Sequence, residues 1–414
     1  MAQREPTYVS LFSGAGGMDL GLEMAGWRTA YASDNDLFAV DTLKANVGLD
    51  LGQGRRAFDG TFIEHADVKV LRGPSILAKS GLARGDVPLL AGGPPCQSWS
   101  SAGHQLGFDD PRGRLLDEFV RLANELDSRW LLMENVRGLL TARGPDGKPG
   151  SALAHIRRNL LKAGFQTTVA LLNAADFGVP QRRVRLFMVG FRTGDAPCFP
   201  QPSHSKDASL GDASRWVPLS HALDSVGDLA DGEVIRPLGK IAVELADVPA
   251  GSGVKSLGKA ERTRPGGHWG YKQGGFIADL GQSARTVTAS AQQDWVRDPA
   301  RGLRRLCPRE CAAIQSFPPS WAFKGPALAQ YRLIGNAVPP QLAKAIGETM
   351  LPHAYTDGVF GWDAVAEPLP LSARLAYHVS YTAREEASNG QSRRDAPQRR
   401  NSRLAKVGSG STPA

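Results

Sequence analysis

The chain of 414 residues has few cysteines and no long apolar run, and each of these absences excludes a class of protein. Its four cysteines, Cys96, Cys198, Cys307 and Cys311, are too few and too scattered for a disulfide framework. Cys307 and Cys311 stand four residues apart without a second Cys or His pair at ligand spacing, so we expect no metal site. No stretch approaches the length of a membrane span, and the first eight residues lack the basic and apolar parts of a signal peptide. We therefore expect a cytoplasmic protein without membrane contacts.

The composition is that of a soluble globular protein with a sizeable core. Hydrophobic residues make up 42% of the chain and charged residues 22%. The length allows two domains, or one large α/β domain with a substantial insertion. The formal net charge of +8 is compatible with a polyanionic partner, although many ordinary proteins are also mildly basic.

Short apolar segments alternate with amphipathic ones as far as Phe191, a pattern typical of a doubly wound α/β sheet. Helices are predicted from Gly17 to about Ala25, over 309–316 and over 340–350. In such a sheet, ligands bind at the carboxyl ends of the strands, where the polar clusters of this sequence lie. The predicted strands are Tyr8–Phe12, Thr29–Ser33, Ile63–Ala66, Val87–Ala91, Trp130–Met133 and Arg183–Phe191.

The chain divides into four parts by composition. Residues 1–192 follow the α/β pattern and residues 286–355 return to it, so we expect these two parts to form one domain. Between them, residues 193–285 are rich in Gly, Pro, Ser, His and Trp without sustained periodicity, which predicts a separate irregular domain. Residues 356–414 form an extension, and from about Ala383 its repeated Arg and few large apolar residues predict disorder.

Cys96 lies in Gly92-Gly93-Pro94-Pro95-Cys96, directly after the predicted buried strand Val87–Ala91. The glycines and prolines end the strand abruptly and place a thiol on a loop at its carboxyl end. A buried, inert cysteine is the competing interpretation.

Gly14-Ala15-Gly16 follows the first strand and precedes a helix, so the backbone there can approach a ligand closely. Asp34, at the end of the second strand, could accept hydrogen bonds from both ribose hydroxyls of NAD or of S-adenosylmethionine. Asp19 occupies the position of the third glycine of the dinucleotide fingerprint, which disfavours a nicotinamide enzyme. A structural glycine turn is the alternative for the motif taken alone.

Seven blocks in chain order resemble those of the DNA (cytosine-5)-methyltransferase family, and their order and spacing make the resemblance specific. This resemblance implies a methyltransferase-type α/β sheet in a catalytic and cofactor-binding domain, formed by residues 1–192 and 286–355. Under the same resemblance, residues 193–285 are a small target-recognition domain. It also implies S-adenosylmethionine as the cofactor, without a metal. The blocks are Phe12-Ser13-Gly14-Ala15-Gly16-Gly17, Gly93-Pro94-Pro95-Cys96-Gln97, Asp110-Pro111-Arg112-Gly113, Glu134-Asn135-Val136, Gln181-Arg182-Arg183-Val184-Arg185, Pro308-Arg309-Glu310-Cys311 and Gly335-Asn336-Ala337-Val338-Pro339.

The chemistry of cytosine supports the same assignment. C5 is a poor nucleophile, so its methylation requires prior attack at C6, for which the thiolate of Cys96 is suitable. Protonation of N3 helps that attack, and Glu134 follows an apolar run that would bury it and raise its pKa. The resemblance gives Glu134 the role of this acid. Arg183 and Arg185 match the arginines of the Gln-x-Arg-x-Arg block, and Arg185 corresponds to the one placed against the target base.

The resemblance also assigns binding residues. Asp34 would bind the ribose, although the family usually has Glu there, so Asp36 is a further candidate. Asp67 would contact the adenine edge, and a turn residue is the alternative for it. The complete predicted cofactor set is Phe12, Gly14, Gly16, Asp34, Asp67 and Asn336, and the predicted DNA-binding set is Gln97, Ser101, His104 and Gln181.

Double-stranded DNA is the expected partner, a restriction endonuclease the expected functional partner, and a monomer the expected state. The tRNA-methylating branch of the family is the minor alternative. It usually carries a Cys-Phe-Thr triplet in a shorter recognition region, and this sequence has no such triplet.

Overall fold

The computed structural model describes residues 5–95, 115–144, 146–192, 198–208, 213–255, 271–355 and 367–394. The strands are β1 Thr7–Leu11, β2 Arg28–Asp34, β3 Asp50–Gly52, β4 Arg55–Arg56, β5 Phe62–His65, β6 Leu89–Gly92, β7 Trp130–Val136, β8 Gln166–Asn173, β9 Val184–Phe191, β10 His204–Ser205, β11 Ser214–Arg215, β12 Ser252–Lys255, β13 Tyr271–Ile277, β14 Trp295–Asp298 and β15 Gly302–Arg305. The helices are α1 Gly17–Met24, α2 Leu37–Ala45, α3 Gly73–Ser80, α4 Leu115–Leu126, α5 Ser151–Lys162, α6 Leu219–Val226, α7 Gly239–Leu245, α8 Pro308–Ile314, α9 Ala327–Asn336, α10 Pro340–Met350 and α11 Ala373–Arg394.

A seven-stranded sheet in the order β5-β2-β1-β6-β7-β9-β8 forms the centre of the molecule. All its neighbours are parallel except for β9, which runs antiparallel to β7 and β8. The chain moves outward from β1 through β2 to β5, and then from β6 to β7 on the other side. This order confirms the predicted doubly wound fold. Its switch point lies between β1 and β6, where open α/β sheets bind their ligands.

Helices cover both faces of this sheet. Residues of α3, α4 and α5 pack on one face, and residues of α1 and α10 pack on the other. The contact between α1 and α10 is close because two glycines allow it: a Cβ on Gly17 would overlap the carbonyl of Val338, and one on Gly21 would overlap that of Pro340. The segment around α10 therefore returns to the first helix and packs against it.

Two strand boundaries near the polar clusters differ from those expected, and the main sheet has one strand more than predicted. Strand β7 continues to Val136, so Glu134 and Asn135 lie within it rather than after it. Strand β9 begins at Val184, so Arg183 precedes it and only Arg185 lies in the strand. The edge strand β8 was not predicted, because its Gln-Thr-Thr start lacks the apolar run that marks the other strands.

A second sheet of four strands, in the order β12-β13-β14-β15, lies in the inserted part of the chain. Its hairpin β14–β15 follows residue 285, so the small sheet continues past the boundary predicted there. The segment 193–285, expected to be irregular, also contains α6 and α7. These helices are only eight and seven residues long, which is too short for a sustained period to be visible in the sequence.

The C-terminal extension is ordered further than its composition indicates. Helix α11 continues to Arg394, eleven residues past the point where disorder was predicted. Its Leu375 is 3% exposed and packs in the core beside α4 and α5. The amide of Gln166 accepts from Leu369 N at 3.1 Å and donates to Glu367 O at 2.9 Å. None of the helices in the described ranges is long and apolar enough to cross a bilayer.

A buried polar chain links β1, β2 and α1. Tyr8 Oη lies 3.2 Å from Asp19 Oδ1 and 2.7 Å from Thr29 Oγ1, which lies 2.6 Å from Glu23 Oε1. Two hydroxyl protons cannot fill three oxygen–oxygen contacts, so a third proton on one carboxyl completes the chain. Burial raises the pKa of Asp19 to about 6 and that of Glu23 to about 7, in agreement with this count.

These raised pKa values predict a pH-dependent stability. Folding raises the pKa of Glu23 from 4.5 to about 7, so the folded state binds this proton more tightly. The free energy of unfolding should therefore fall as the pH rises from about 4.5 to about 7, by up to about 3 kcal/mol. Glu23→Gln keeps an oxygen for Phe58 N and cannot ionise, so it should lose less stability over this range.

Urea unfolding of both proteins at pH 5, 6, 7 and 8 measures this difference. Glu348→Gln, an exposed carboxylate on α10, serves as the matched control and should follow the wild type. Parallel pH profiles for the wild type and Glu23→Gln would contradict the prediction.

Candidate active site

The loop between β1 and α1 takes a backbone course that favours glycine. Gly14 has φ 56°, Gly16 has φ 77°, and Phe12 takes φ 56° although it is not glycine. A Cβ on Gly16 would lie 2.6 Å from Leu43 Cδ2 and 3.0 Å from Trp321 Cζ2, so this side of the loop is closely packed. A Cβ on Gly14 would meet no atom of the described residues within 4 Å. The loop is therefore supported on one side and open on the other.

Asp34 lies at the end of β2 and contacts this loop. Its Oδ2 accepts from Gly14 N at 2.8 Å, its Oδ1 accepts from Asp36 N at 2.9 Å, and burial raises its pKa. Asp36 has other partners. Its carboxylate caps α2 by accepting from Phe38 N, and it pairs with Arg332. Of the two candidates for the ribose, Asp34 is thus the one that contacts the glycine loop.

Asp67 and Asn336 lie at the same edge of the sheet. Asp67 follows β5, which pairs with β2 so that His65 stands beside Asp34. Its Oδ1 accepts from Lys69 N at 3.0 Å, so it also forms the turn considered for it above. Asn336 ends α9 with an exposed side chain, and the residues that follow it pack against Gly17 at the start of α1.

Glu134, the residue predicted to act as the acid, lies within β7. It is 8% exposed, and its Oε1 lies 3.1 Å from Arg185 Nε. Arg185 stands opposite Val136 in the antiparallel pair β7–β9, so it is a diagonal neighbour of Glu134 on one face of the sheet. Burial raises the pKa of Glu134, and the attraction of Arg185 and Arg183 only partly opposes this shift. The carboxyl can therefore hold a proton closer to neutral pH than an exposed glutamate.

The segment that leads to Cys96 lies beside this acid. A Cβ on Gly93 would lie 3.4 Å from Glu134 Oε2, and Asn135 Nδ2 donates to Pro94 O at 3.1 Å. Strands β6 and β7 pair in parallel up to Gly92 and Met133, which brings the two motifs to one edge. Four predicted residues, Cys96, Gln97, Ser101 and His104, lie outside the described residues.

Arg183 and Gln181 connect parts of the catalytic domain. Arg183 is 1% exposed and donates to Val287 O at 3.0 Å and to Gly335 O at 2.8 Å. Gln181 is fully buried, accepts from Val287 N at 2.7 Å and donates to Gln315 Oε1 at 2.8 Å. The amide of Gln181, expected to contact DNA, is thus committed to protein partners.

Sequence reasoning missed Trp321, whose indole N–H donates to Ala15 O in the glycine loop at 3.2 Å. The two residues are 306 positions apart, and no local pattern in the sequence connects them. In the part of the chain that the structure describes, no group of three or more His, Cys, Asp or Glu side chains could bind a metal ion.

Comparison with known proteins gives consistent matches along most of the chain. The profile of the C-5 cytosine-specific DNA methylase family matches residues 7–351. Type II methyltransferase M1.HphI of Haemophilus parahaemolyticus is 32% identical over 83% of this chain and 86% of its own length. Type II methyltransferase M.Eco47II of Escherichia coli is 34% identical over 83% of this chain and 78% of its own. The structure of methyltransferase EhMeth from Entamoeba histolytica superimposes with a TM-score of 0.60 at 14% identity, covering 86% of this chain and all of that one, and so shares the fold.

The two hydrogen bonds of the buried Arg183 guanidinium lead to a prediction about stability. Lysine is a single point donor and can reach one of the two carbonyls, so Arg183→Lys should lower the free energy of unfolding by about 1–3 kcal/mol. Arg182→Lys changes the exposed neighbour in the same way and should have little effect. Urea unfolding measures both, and equal stability of the two variants would contradict the role assigned to Arg183.

Proposed function

Because the chain belongs to the C-5 cytosine-specific DNA methylase family, we propose that it methylates C5 of a cytosine extruded from double-stranded DNA, with S-adenosylmethionine as the methyl donor. Cys96 attacks the ring and Glu134 supplies the proton that activates it. The observation that carries this proposal is the buried Glu134–Arg185 pair, 3.1 Å apart, beside the backbone that leads into Cys96.

The residues at the switch point fit S-adenosylmethionine. The loop is open in front of Gly14, and no side chain caps the N-terminus of α1, so backbone N–H groups are available to a ligand. Asp34 contributes a carboxylate next to that opening, where a ribose would lie. Phe12, Asp67 and Asn336 surround the same edge. When bound, S-adenosylmethionine supplies an electrophilic methyl group.

The nucleophile is the Cys96 thiolate, which forms a bond to C6 of the cytosine. The electron pair of the C5–C6 double bond then becomes available at C5, the atom that accepts the methyl group. Loss of the C5 proton and departure of the thiolate from C6 restore the ring. Cysteine suits this task because its thiolate is both a strong nucleophile and an adequate leaving group.

Glu134 assists the attack by donating a proton to N3 of the ring. Its burial raises the pKa, so the protonated form is available closer to neutral pH than for an exposed glutamate. Arg185 lies against the same carboxylate and orients it, and its remaining guanidinium protons can meet the carbonyl oxygen of the base. Asn135 binds Pro94 O and thereby fixes the distance between the strand of the acid and the segment of the nucleophile.

The duplex would lie between the catalytic edge of the main sheet and the inserted domain. A base inside a duplex cannot reach a buried acid, so the cytosine has to leave the helix. Gln97, Ser101 and His104 belong to the segment after Cys96 that would close over the DNA. Phosphate contacts would provide affinity, and base-edge contacts from the inserted domain would select the sequence. The similar Type II methyltransferases suggest a restriction endonuclease as the functional partner.

Covalent trapping tests the role of Cys96. DNA with 5-fluorocytosine at the target has no C5 proton to lose, so the adduct should persist and survive denaturation. Cys96→Ala should form none, whereas Cys198→Ala, a change at an exposed cysteine, should trap as the wild type does. A denaturation-resistant complex with Cys96→Ala would overturn the assignment.

The Glu134→Gln variant tests whether Glu134 acts by donating a proton. Glutamine fills the same space but cannot protonate N3, so turnover should fall by about 10²–10⁴-fold while the fold and the affinity for S-adenosylhomocysteine remain. Single-turnover methylation and calorimetric binding measure the two effects. Turnover within a few-fold of the wild type would exclude Glu134 as the acid.

A further inference from the structure

We propose that Trp321 is a positioning residue for the cofactor. The segment 321–325, called the strap below, contacts both the glycine loop and α2 and holds them in a fixed relative position. This inference rests on the proposed use of S-adenosylmethionine. Trp321 is outside the predicted cofactor-binding set and lies on the far side of the loop from the opening at Gly14.

The first end of the strap supports the loop. The indole of Trp321 is 4% exposed and donates its N–H to Ala15 O at 3.2 Å. Its ring is tilted against two other aromatic rings, with centroids 6.0 Å from Phe58 and 5.7 Å from Phe317. A Cβ on Gly16 would lie 3.0 Å from the edge of this ring and 2.6 Å from Leu43 Cδ2, so the ring also packs closely against the loop. One side chain thus contacts the loop through both a hydrogen bond and close packing.

The other residues of the strap lie along α2. Asn46 accepts from Ala322 N at 2.9 Å and donates to Ala322 O at 2.9 Å, which is the pattern of a backbone pairing. Lys324 N donates to Thr42 Oγ1 at 3.0 Å, and Gly325 approaches the ring of Phe38 too closely for a Cβ. Phe38, Thr42 and the C-cap residue Asn46, spaced four residues apart along α2, therefore all contact the strap.

The strap matters for the cofactor because α2 and the glycine loop form two walls of one site. Asp34 precedes α2 and accepts from Gly14 N, so a shift of α2 relative to the loop changes the position of this carboxylate. The loop also contains left-handed residues that have few alternative conformations to relax into. Fixing Ala15 from behind keeps the loop N–H groups in place before the ligand arrives, which lowers the entropic cost of binding.

Trp321→Phe removes the indole N–H and keeps an aromatic ring. The KM for S-adenosylmethionine and the Kd of S-adenosylhomocysteine should both rise about tenfold, the effect of losing one well-placed buried hydrogen bond. Because the contacts of Trp321 with the described residues reach the glycine loop and two aromatic rings rather than Glu134 or Arg185, kcat at saturating cofactor and the KM for DNA should stay within about twofold. A general loss of structure would lower kcat together with affinity and does not predict this split.

Trp27→Phe is the matched control. Trp27 is also fully buried and donates its indole N–H to a backbone carbonyl, Gly347 O at 3.0 Å, but at the opposite end of α1. The melting temperature of the Trp27→Phe variant should fall as much as that of Trp321→Phe, but its affinity for the cofactor should not change. Equal weakening of cofactor affinity by both variants, or none with Trp321→Phe, would overturn the proposal.

Thr42→Val tests the strap from the α2 side if the tryptophan variant does not fold. Valine has nearly the same shape and leaves Lys324 N without its acceptor, so cofactor affinity should fall in the same direction, by a smaller factor. Unchanged affinity would count against the strap. Binding of S-adenosylhomocysteine needs no DNA, so a wild-type protein that binds it without methylating cytosine would refute the proposed function and leave the strap to be judged by these variants.

Discussion

The close contact between α1 and the segment 337–347 is the constraint on which the rest of the structure depends. It brings two parts of the chain together across an inserted domain, and only glycine at positions 17 and 21 permits it. The same return of the chain brings Gly335 O to the guanidinium of Arg183 and places Asn336 at the start of α1. The edge of the sheet at which we propose that the cofactor binds thus contains residues from both parts of the chain. The dinucleotide fold uses its third glycine to bring helix and strand together; here Asp19 occupies that position and bonds to Tyr8.

Two opposing effects act on the pKa of Glu134. Strand β7 buries Glu134, which favours the neutral carboxyl, while Arg185 at 3.1 Å favours the charged one. Burial is the larger effect, so the pKa rises despite the nearby guanidinium. An acid that was paired but exposed would remain ionised, and one buried without a cation would lack orientation. Strand β9 supplies this cation. It runs antiparallel to β7 and thereby places Arg185 diagonally across from Glu134.

The sequence predicted the parts of this structure that depend on local pattern. Six of the seven strands in the main sheet and the helices α1, α8 and α10 could be located from the apolar pattern. Roles that depend on distant partners could not be predicted in this way. Gln181 matches a motif, yet its burial between Val287 and Gln315 follows only from tertiary packing. For the same reason, composition did not predict the length of α11. This helix is supported by Leu375, which packs into the core beside α4 and α5, whose residues lie more than two hundred positions earlier in the chain.

The ordered start of the extension also separates two boundaries that are often treated as one. The family profile matches as far as residue 351, but the side chains of Arg157 and Gln166 also bond to backbone groups at residues 367–369. A protein that ended at residue 351 would keep the bonds from Arg157 to Thr167 and would lose these further contacts at the edge of the sheet. The segment 367–375 therefore contributes contacts to the main sheet and its core although it lies outside the stretch that the family profile matches.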